Sequence, residues 1–279
     1  MSDTRSDVLI SVADLADRMA NPAGLVLLDI SDDLETAPLE RPVLPGAMAV
    51  SLATDISGPA SKEGGRRPLP DPSVLEQNLR RFGIDGDALI VVYDNASGAQ
   101  AGRAWWTLRW AGHANVRLLD GGLAAWTAAG HDTAPEPAHA PGGGTITVSP
   151  GGMPVIGADQ AADIARNGAL LDARGKTAYE GDPEKPATGH IPGAICAGAK
   201  DALDPDGGFK STEDLRAMFK DLGADGSQPV GVYCGSGNAA SFELAGMYAA
   251  GLEAPLYVDS WSAWTGDPER PVAQGPERG

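Results

Sequence analysis

Short apolar runs alternate along the chain with stretches in which apolar residues recur at helical spacing. Leu25-Val-Leu-Leu-Asp29, Ala88-Leu-Ile-Val-Val-Tyr93 and Val116-Arg-Leu-Leu119 are dense and bounded by turn residues, so they predict buried strands. Between them, Ser11 or Asp14 can cap a helix that turns Leu15 and Met19 inward. Pro72 to Phe82 predicts a helix stopped by Gly83, Trp105 to Ala111 another, and Asp120-Gly-Gly-Leu-Ala-Ala-Trp126 turns into a last one. Pro45-Gly46-Ala47 predicts a turn into a further apolar strand, and the Gly- and Pro-rich run from Gly58 to Pro72 a loop. This alternation calls for an α/β fold, a mostly parallel sheet with helices on both faces.

The order of elements then repeats. Leu28-Asp29 is answered by Leu171-Asp172, Leu44-Pro-Gly-Ala47 by Ile191-Pro-Gly-Ala194, Val92-Tyr93 by Val232-Tyr233, and Asp120-Gly-Gly-Leu-Ala-Ala-Trp126 by Asp259-Ser-Trp-Ser-Ala-Trp264. An offset of about 140 residues is far longer than a solenoid repeat and marks a duplicated domain. From His131 to Pro154 the composition shifts to Pro, Gly, Ala and Thr, which sets a linker at 136–153 between domains at 8–135 and 154–275. With 279 residues, 42% of them hydrophobic, each half can bury an ordinary core. A formal net charge of −17 argues against nucleic acid and anionic membrane as partners. The polar opening, the lack of a long apolar run and the presence of only Cys196 and Cys234 lead to the expectation of a soluble, cytoplasmic protein with no disulfide framework.

Chemistry concentrates in Gly231-Val-Tyr-Cys234-Gly-Ser-Gly-Asn-Ala-Ala-Ser241. A strand runs into a cysteine, a glycine-rich turn and a helix expected from about Ala239 to Ala250. Backbone N–H groups in such a turn, with the helix N-terminus behind them, can hold a thiolate and an anion above it. The plainer alternative is a buried structural cysteine beside a tight turn. Gly235 and Gly237 weigh against it, because such residues suit a close backbone approach. The matching position in the first half is Asp94, whose turn is one residue longer. An acid there repels an anion, so the first domain reads as support.

These residues resemble the tandem rhodanese family of sulfurtransferases over essentially the whole chain. The marks are Leu171-Asp-Ala-Arg174, Gly189-His-Ile-Pro-Gly-Ala194, Cys234-Gly-Ser-Gly237 and Asp259-Ser-Trp-Ser-Ala-Trp264, with Arg103-Ala-Trp-Trp106 and Asp120-Gly-Gly-Leu-Ala-Ala-Trp126 in the first half. The resemblance implies two rhodanese domains, the first inactive, and a persulfide carried by Cys234 in the second. The thiolate takes the outer sulfur of a small anionic donor, 3-mercaptopyruvate or thiosulfate. The persulfide anion rests among loop N–H groups from Gly235 to Ala239, those of Gly237 and Asn238 included, and a thiol or cyanide acceptor removes it. Neither cofactor nor metal is implied, and a protein acceptor is left open. Arg174 matches the family position for a donor-binding cation, its alternative being an ion pair with Asp172. Ser236 matches the hydroxyl that mercaptopyruvate-using relatives place in the loop, whereas Val43 and Ala178 stand where those relatives carry a histidine and a second arginine, and Asn238-Ala239 replaces the loop's closing Val-Thr.

His190 reads as structural, its ring capping a turn, and Cys196 as a buried thiol that could resolve Cys234 only within disulfide reach. The six tryptophans read as core or domain-interface fill. A cysteine phosphatase needs an arginine closing the loop, where this chain has Ala239, Ala240 and Ser241. A persulfide carrier or interaction module without turnover is the other alternative.

Overall fold

A computed structural model describes residues 4–32, 34, 41–185 and 187–279; the opening Met1 to Asp3 of the polar tail lies outside them. The chain divides into two units, each built on five parallel strands. In the first, β1 (Leu9–Ile10), α1 (Val12–Met19), β2 (Leu25–Ser31), β3 (Met48–Ser51), α2 (Pro72–Arg81), β4 (Leu89–Tyr93), α3 (Ala99–Trp110), β5 (Val116–Leu119) and α4 (Gly122–Ala128) follow in order. The strands lie β1-β5-β4-β2-β3, with Leu28 in register with Val92 and Met48.

Strand alternation gives this sheet two buried faces. Leu27, Val91, Tyr93 and Leu119 share one core cluster with Leu15 of α1 and with Leu123 and Trp126 of α4. Their neighbours Leu28, Ile30, Ile90 and Val92, equally buried, point to the opposite face, and α3 packs on the same strands. Local chemistry sets the helix starts. The Ser11 hydroxyl accepts the Asp14 N–H at 3.1 Å, and the Asp71 carboxylate accepts that of Ser73 at 2.8 Å ahead of Pro72.

The second unit repeats the plan with β6 (Val155–Ile156), α5 (Ala158–Asn167), β7 (Ala169–Asp172), α6 (Lys176–Glu180), β8 (Ile195–Cys196), α7 (Thr212–Asp221), β9 (Val230–Tyr233), α8 (Asn238–Ala249), β10 (Leu256–Tyr257) and α9 (Ser260–Trp264). Its order, β6-β10-β9-β7-β8, corresponds strand for strand to that of the first unit. Leu170, Ile191, Tyr233, Tyr257 and Trp264 lie in its core cluster.

Two short segments depart from the linear division. Pro59–Pro68, in the first half of the sequence, belongs to the second unit, and Asp204–Phe209 belongs to the first. The Phe209 N–H donates to Asp120 at 2.8 Å, and the Arg66 N–H to the Ser262 hydroxyl at 3.0 Å. The expected linker is also no free tether. Gly142, Gly144 and Ile146 donate to the carbonyls of Arg81, Arg80 and Ile84, and Ile146 and Met153 are buried, so this stretch is part of the first unit. The helix expected from Trp105 begins at Ala99 instead. Its first turn has no apolar period, and a side-chain cap described below holds it. Trp105, Trp106, Trp110, Trp126 and Trp264 are buried, while Trp261 is half-buried under the Arg174 guanidinium. Among the described residues no helix is long and apolar enough to cross a membrane.

Candidate active site

Strand β9, the central one of the second sheet, delivers Cys234 just beyond its C-terminal end, where it is 2% exposed. A three-residue turn follows, and Gly237 takes the left-handed conformation (φ 85°) that lets the chain enter α8. The cysteine backbone is clamped by the turn after β10. Its N–H donates to the Ser260 hydroxyl at 3.2 Å, its carbonyl accepts from Trp261 at 3.0 Å, and the Gly235 carbonyl accepts from Ser262 at 3.1 Å. Ser260 is the only described non-glycine residue in left-handed backbone space (φ 55°), and its hydroxyl also donates to the Tyr257 carbonyl at 2.8 Å. Strain of this kind persists only where surrounding bonds over-determine it. Here those bonds fix the nucleophile's backbone.

The N–H groups of Gly235, Ser236, Gly237, Asn238, Ala239 and Ala240 find no protein acceptor among the described residues. Protein bonding resumes at Ser241, whose N–H and hydroxyl both donate to the Gly237 carbonyl. Six successive open donors after a buried cysteine, at the start of a helix, suit an anion. Ser236, within the turn, is half-buried, and its hydroxyl has no partner among the described residues. Asn238 and Ala239 are half-buried in the first turn of α8.

The first unit shows what such a loop does with an anion. There β4 ends at Tyr93, and Gly98 (φ 78°) caps α3 as Gly237 caps α8, with a turn one residue longer. Asp94 occupies the cysteine's place. Its carboxylate accepts N–H bonds from Ala96 and Gly98 at 2.9 Å, Gln100 at 3.0 Å and Ala101 at 3.1 Å. Counted from the capping glycines, Gln100 and Ala101 correspond to Ala239 and Ala240.

Arg174 lies beyond β7, against Asp172. Its Nε and Nη2 donate to the two carboxylate oxygens at 2.8 and 2.5 Å, and Nη2 also to the Gly189 carbonyl at 2.7 Å. Burial opposes its charge, but the bonds and charge of Asp172 outweigh it and hold the guanidinium pKa above its usual range. Asp172, fully buried, also accepts from the Tyr233 hydroxyl at 2.6 Å, and that hydroxyl accepts the Ile191 N–H at 3.1 Å. The first unit also closes an arginine on its buried aspartate, without a cysteine. Arg41 pairs both oxygens of Asp29 at 2.7 and 2.5 Å, and the Tyr93 hydroxyl accepts the Leu44 N–H at 2.9 Å. Asp29 with Tyr93 and Asp172 with Tyr233 occupy matching positions, and the tyrosine ties the Pro-Gly-Ala turn to the sheet in both units. The arginines come from different places, Arg41 12 residues after its aspartate and Arg174 2 residues after.

His190 is fully buried, stacks on Tyr179 at 3.7 Å and bonds the Tyr179 carbonyl through Nδ1 at 2.8 Å. Cys196 stands in register with Asp172, and Asp172 with Tyr233, so the strands ending at the two cysteines are two spacings apart, about 9.6 Å. That exceeds the ~7 Å of a disulfide. Burial and the charges of Asp172 and Asp201 also push the Cys196 thiol pKa up.

Two contributors escaped the sequence reading. Ser260 lies inside the Asp259–Trp264 motif, which sequence marks as part of the fold and not as a support of the nucleophile. Arg66, from the displaced segment Pro59–Pro68, places Nη2 3.0 Å from where a side chain at residue 235 would begin.

Comparison with known proteins agrees with this duplicated plan. The model of the Rhodanese-like domain matches residues 11–129 and 157–267. SseB of Mycobacterium tuberculosis, which bears the provisional name thiosulfate sulfurtransferase, is 39% identical over 282 residues, covering 97% of this chain and 98% of that protein. A Pseudomonas aeruginosa protein provisionally named 3-mercaptopyruvate sulfurtransferase is 40% identical over 288 residues, covering 96% and 98%. Among solved structures, the 3-mercaptopyruvate sulfurtransferase from Leishmania major superposes with a TM-score of 0.78 at 24% identity, over 93% of this chain and 74% of that one.

Proposed function

The chain belongs to the rhodanese family and is a sulfurtransferase, and we propose on that premise that Cys234 carries the transferred sulfur as a persulfide. The observation behind this reading is the contrast between the two loops. The Asp94 loop is closed on its own carboxylate, while the Cys234 loop keeps its donors open around a buried thiol. The donor is a small anion, thiosulfate or 3-mercaptopyruvate. With thiosulfate, the Cys234 thiolate forms a bond to the outer sulfur, the S–S bond of the donor breaks, and sulfite leaves with the electron pair. With 3-mercaptopyruvate the C–S bond breaks, its electron pair goes to carbon, and the resulting enolate takes the thiol proton to become pyruvate. Either route leaves Cys–S–S⁻ in the loop, where the open N–H groups bond the terminal sulfur anion. Cyanide or a thiol then takes that sulfur, restoring the thiolate.

The half-buried Ser236 hydroxyl, for which no partner is found among the described residues, is placed to bond a keto acid, which favours 3-mercaptopyruvate. Arg174 is better suited to holding Asp172 and Tyr233 than to meeting the donor, since the carboxylate and the Gly189 carbonyl take its Nε and Nη2.

Intact-mass measurement after incubation with donor tests the reading. One sulfur atom is expected on the wild-type protein, removable by cyanide or dithiothreitol, and none on Cys234→Ser. Turnover by Cys234→Ser, or a label mapping to Cys196, overturns it. Loading of Cys234 without steady turnover of any donor–acceptor pair points instead to a sulfur carrier.

A further inference from the structure

An anionic donor approaching a chain of net charge −17 needs a fixed cation near the reacting sulfur. The one expected from the sequence, Arg174, is occupied by Asp172. A different arginine stands at the loop. Ser61 and Gly65 close a small hairpin within Pro59–Pro68, and the Arg66 N–H is held by the Ser262 hydroxyl. The next N–H in that direction, that of Ser262 itself, donates to the Gly235 carbonyl. One short chain of bonds therefore ties the Arg66 backbone to the turn that follows the nucleophile. The guanidinium then lies over Gly235, where the missing side chain makes room for it. It is exposed, and no carboxylate among the described residues pairs with it.

We propose that Arg66 is a donor-binding residue whose guanidinium receives the anionic head of the sulfur donor, the sulfonate oxygens of thiosulfate or the carboxylate of 3-mercaptopyruvate, while the transferred sulfur meets Cys234. This rests on the sulfurtransferase reading of Cys234. A planar fork beside a bed of backbone donors suits a carboxylate or sulfonate, which can accept two parallel bonds. The arrangement also gives Gly235 a steric role. Its backbone is not in left-handed space, so a methyl group there meets no loop atom and presses only on the end of the Arg66 side chain, which it would displace from the loop.

The double-displacement cycle lets the two half-reactions be measured apart. Arg66→Ala is expected to raise the donor KM and lower kcat/KM for loading about tenfold to a hundredfold, with Arg66→Lys recovering part of the loss. Discharge of preformed persulfide by dithiothreitol, an uncharged acceptor, is expected to stay at the wild-type rate. Gly235→Ala should lower loading in the wild-type background and have little further effect in Arg66→Ala, since both act on one contact. Wild-type loading kinetics in Arg66→Ala, or equal losses in both half-reactions, overturn the donor-binding role while leaving the persulfide reading standing. Failure of the wild-type protein to load Cys234 with either donor removes both.

Discussion

Two loops in this protein share one backbone plan and hold opposite contents. In each, a strand ends in tyrosine, a short turn follows, and a left-handed glycine starts a twelve-residue helix. In the first unit the residue after the tyrosine is Asp94, whose carboxylate gathers four N–H bonds. In the second it is Cys234, and the corresponding donors are open. The anion-binding geometry thus belongs to the fold and survives without a nucleophile. Chemistry depends on whether the bound anion is part of the chain or arrives with the substrate.

Exchanging the occupants sharpens that contrast most. Cys234→Asp should fill the second loop as the first is filled. Sulfur transfer is expected to fall at least about ten-thousandfold, roughly 5.5 kcal/mol, with no drop in Tm. In the other direction, Asp94→Ala removes the acceptor of four N–H groups and should destabilise the protein by about 2–3 kcal/mol with donor kinetics intact. Sulfate should then raise the Tm of Asp94→Ala more than that of the wild type, because the emptied loop gains a ligand that binds only the folded state. A Cys234→Asp variant that unfolds, or an Asp94→Ala variant indifferent to sulfate, breaks the equivalence of the loops.

The paired arginines give the next comparison. Arg174 and Arg41 each close on a fully buried aspartate, with side chains 12% and 19% exposed. Removing either partner of such a pair strands a buried charge, so Arg174→Ala is expected to cost about 3–5 kcal/mol of stability and Arg41→Ala somewhat less. Donor kcat/KM of the folded fraction should be little changed in both. If Arg174→Ala kept its Tm and lost donor kcat/KM, the arginine would be the donor-binding cation that the family resemblance implies, and the likeness between the two sets would be superficial.

The residues differ in how far they announce these roles. Strand β4 and helix α8 were legible because a dense apolar run and an alanine-rich segment each favour one local structure. The duplication was legible because paired motifs keep their order. The start of α3 was not, since Ala99 to Gly102 have no apolar period and the turn is held by Asp94, a residue outside the helix. In sequence Asp94 implies only repulsion of an incoming anion, whereas in the fold its carboxylate is itself the anion that the loop binds. Arg66 was the least legible. It sits in a Gly- and Pro-rich loop almost 170 residues from Gly235 in sequence, and only tertiary structure brings the two together. Arg174 carried both its readings in sequence, and neighbouring side chains were needed to favour one.

The smallest expected effect concerns a position where the two helices differ. Six residues beyond the capping glycine, α3 carries Ala104 and α8 carries Glu243, both buried. The Glu243 Oε2 has no hydrogen-bond partner among the described residues. Burial, with smaller contributions from the charges of Asp172 and Asp201, pushes its pKa well above the usual glutamate range. The folded protein therefore holds a proton there that the unfolded chain releases near pH ~4.3. Between those two values the native state binds more protons, so stability falls as pH rises through that window and levels off once the folded group has ionised. Glu243→Gln keeps the shape and cannot ionise. Its Tm should match the wild type at low pH and exceed it increasingly as pH rises through that window, while every other group titrates alike in both proteins and cancels in the difference. Glu243→Ala, which copies the first unit, should show the same pH trend offset downward by the cavity it leaves. A difference between wild type and Glu243→Gln that stays flat with pH would mean that the second helix tolerates this acid as a charge, and that the two helices differ there in sequence alone.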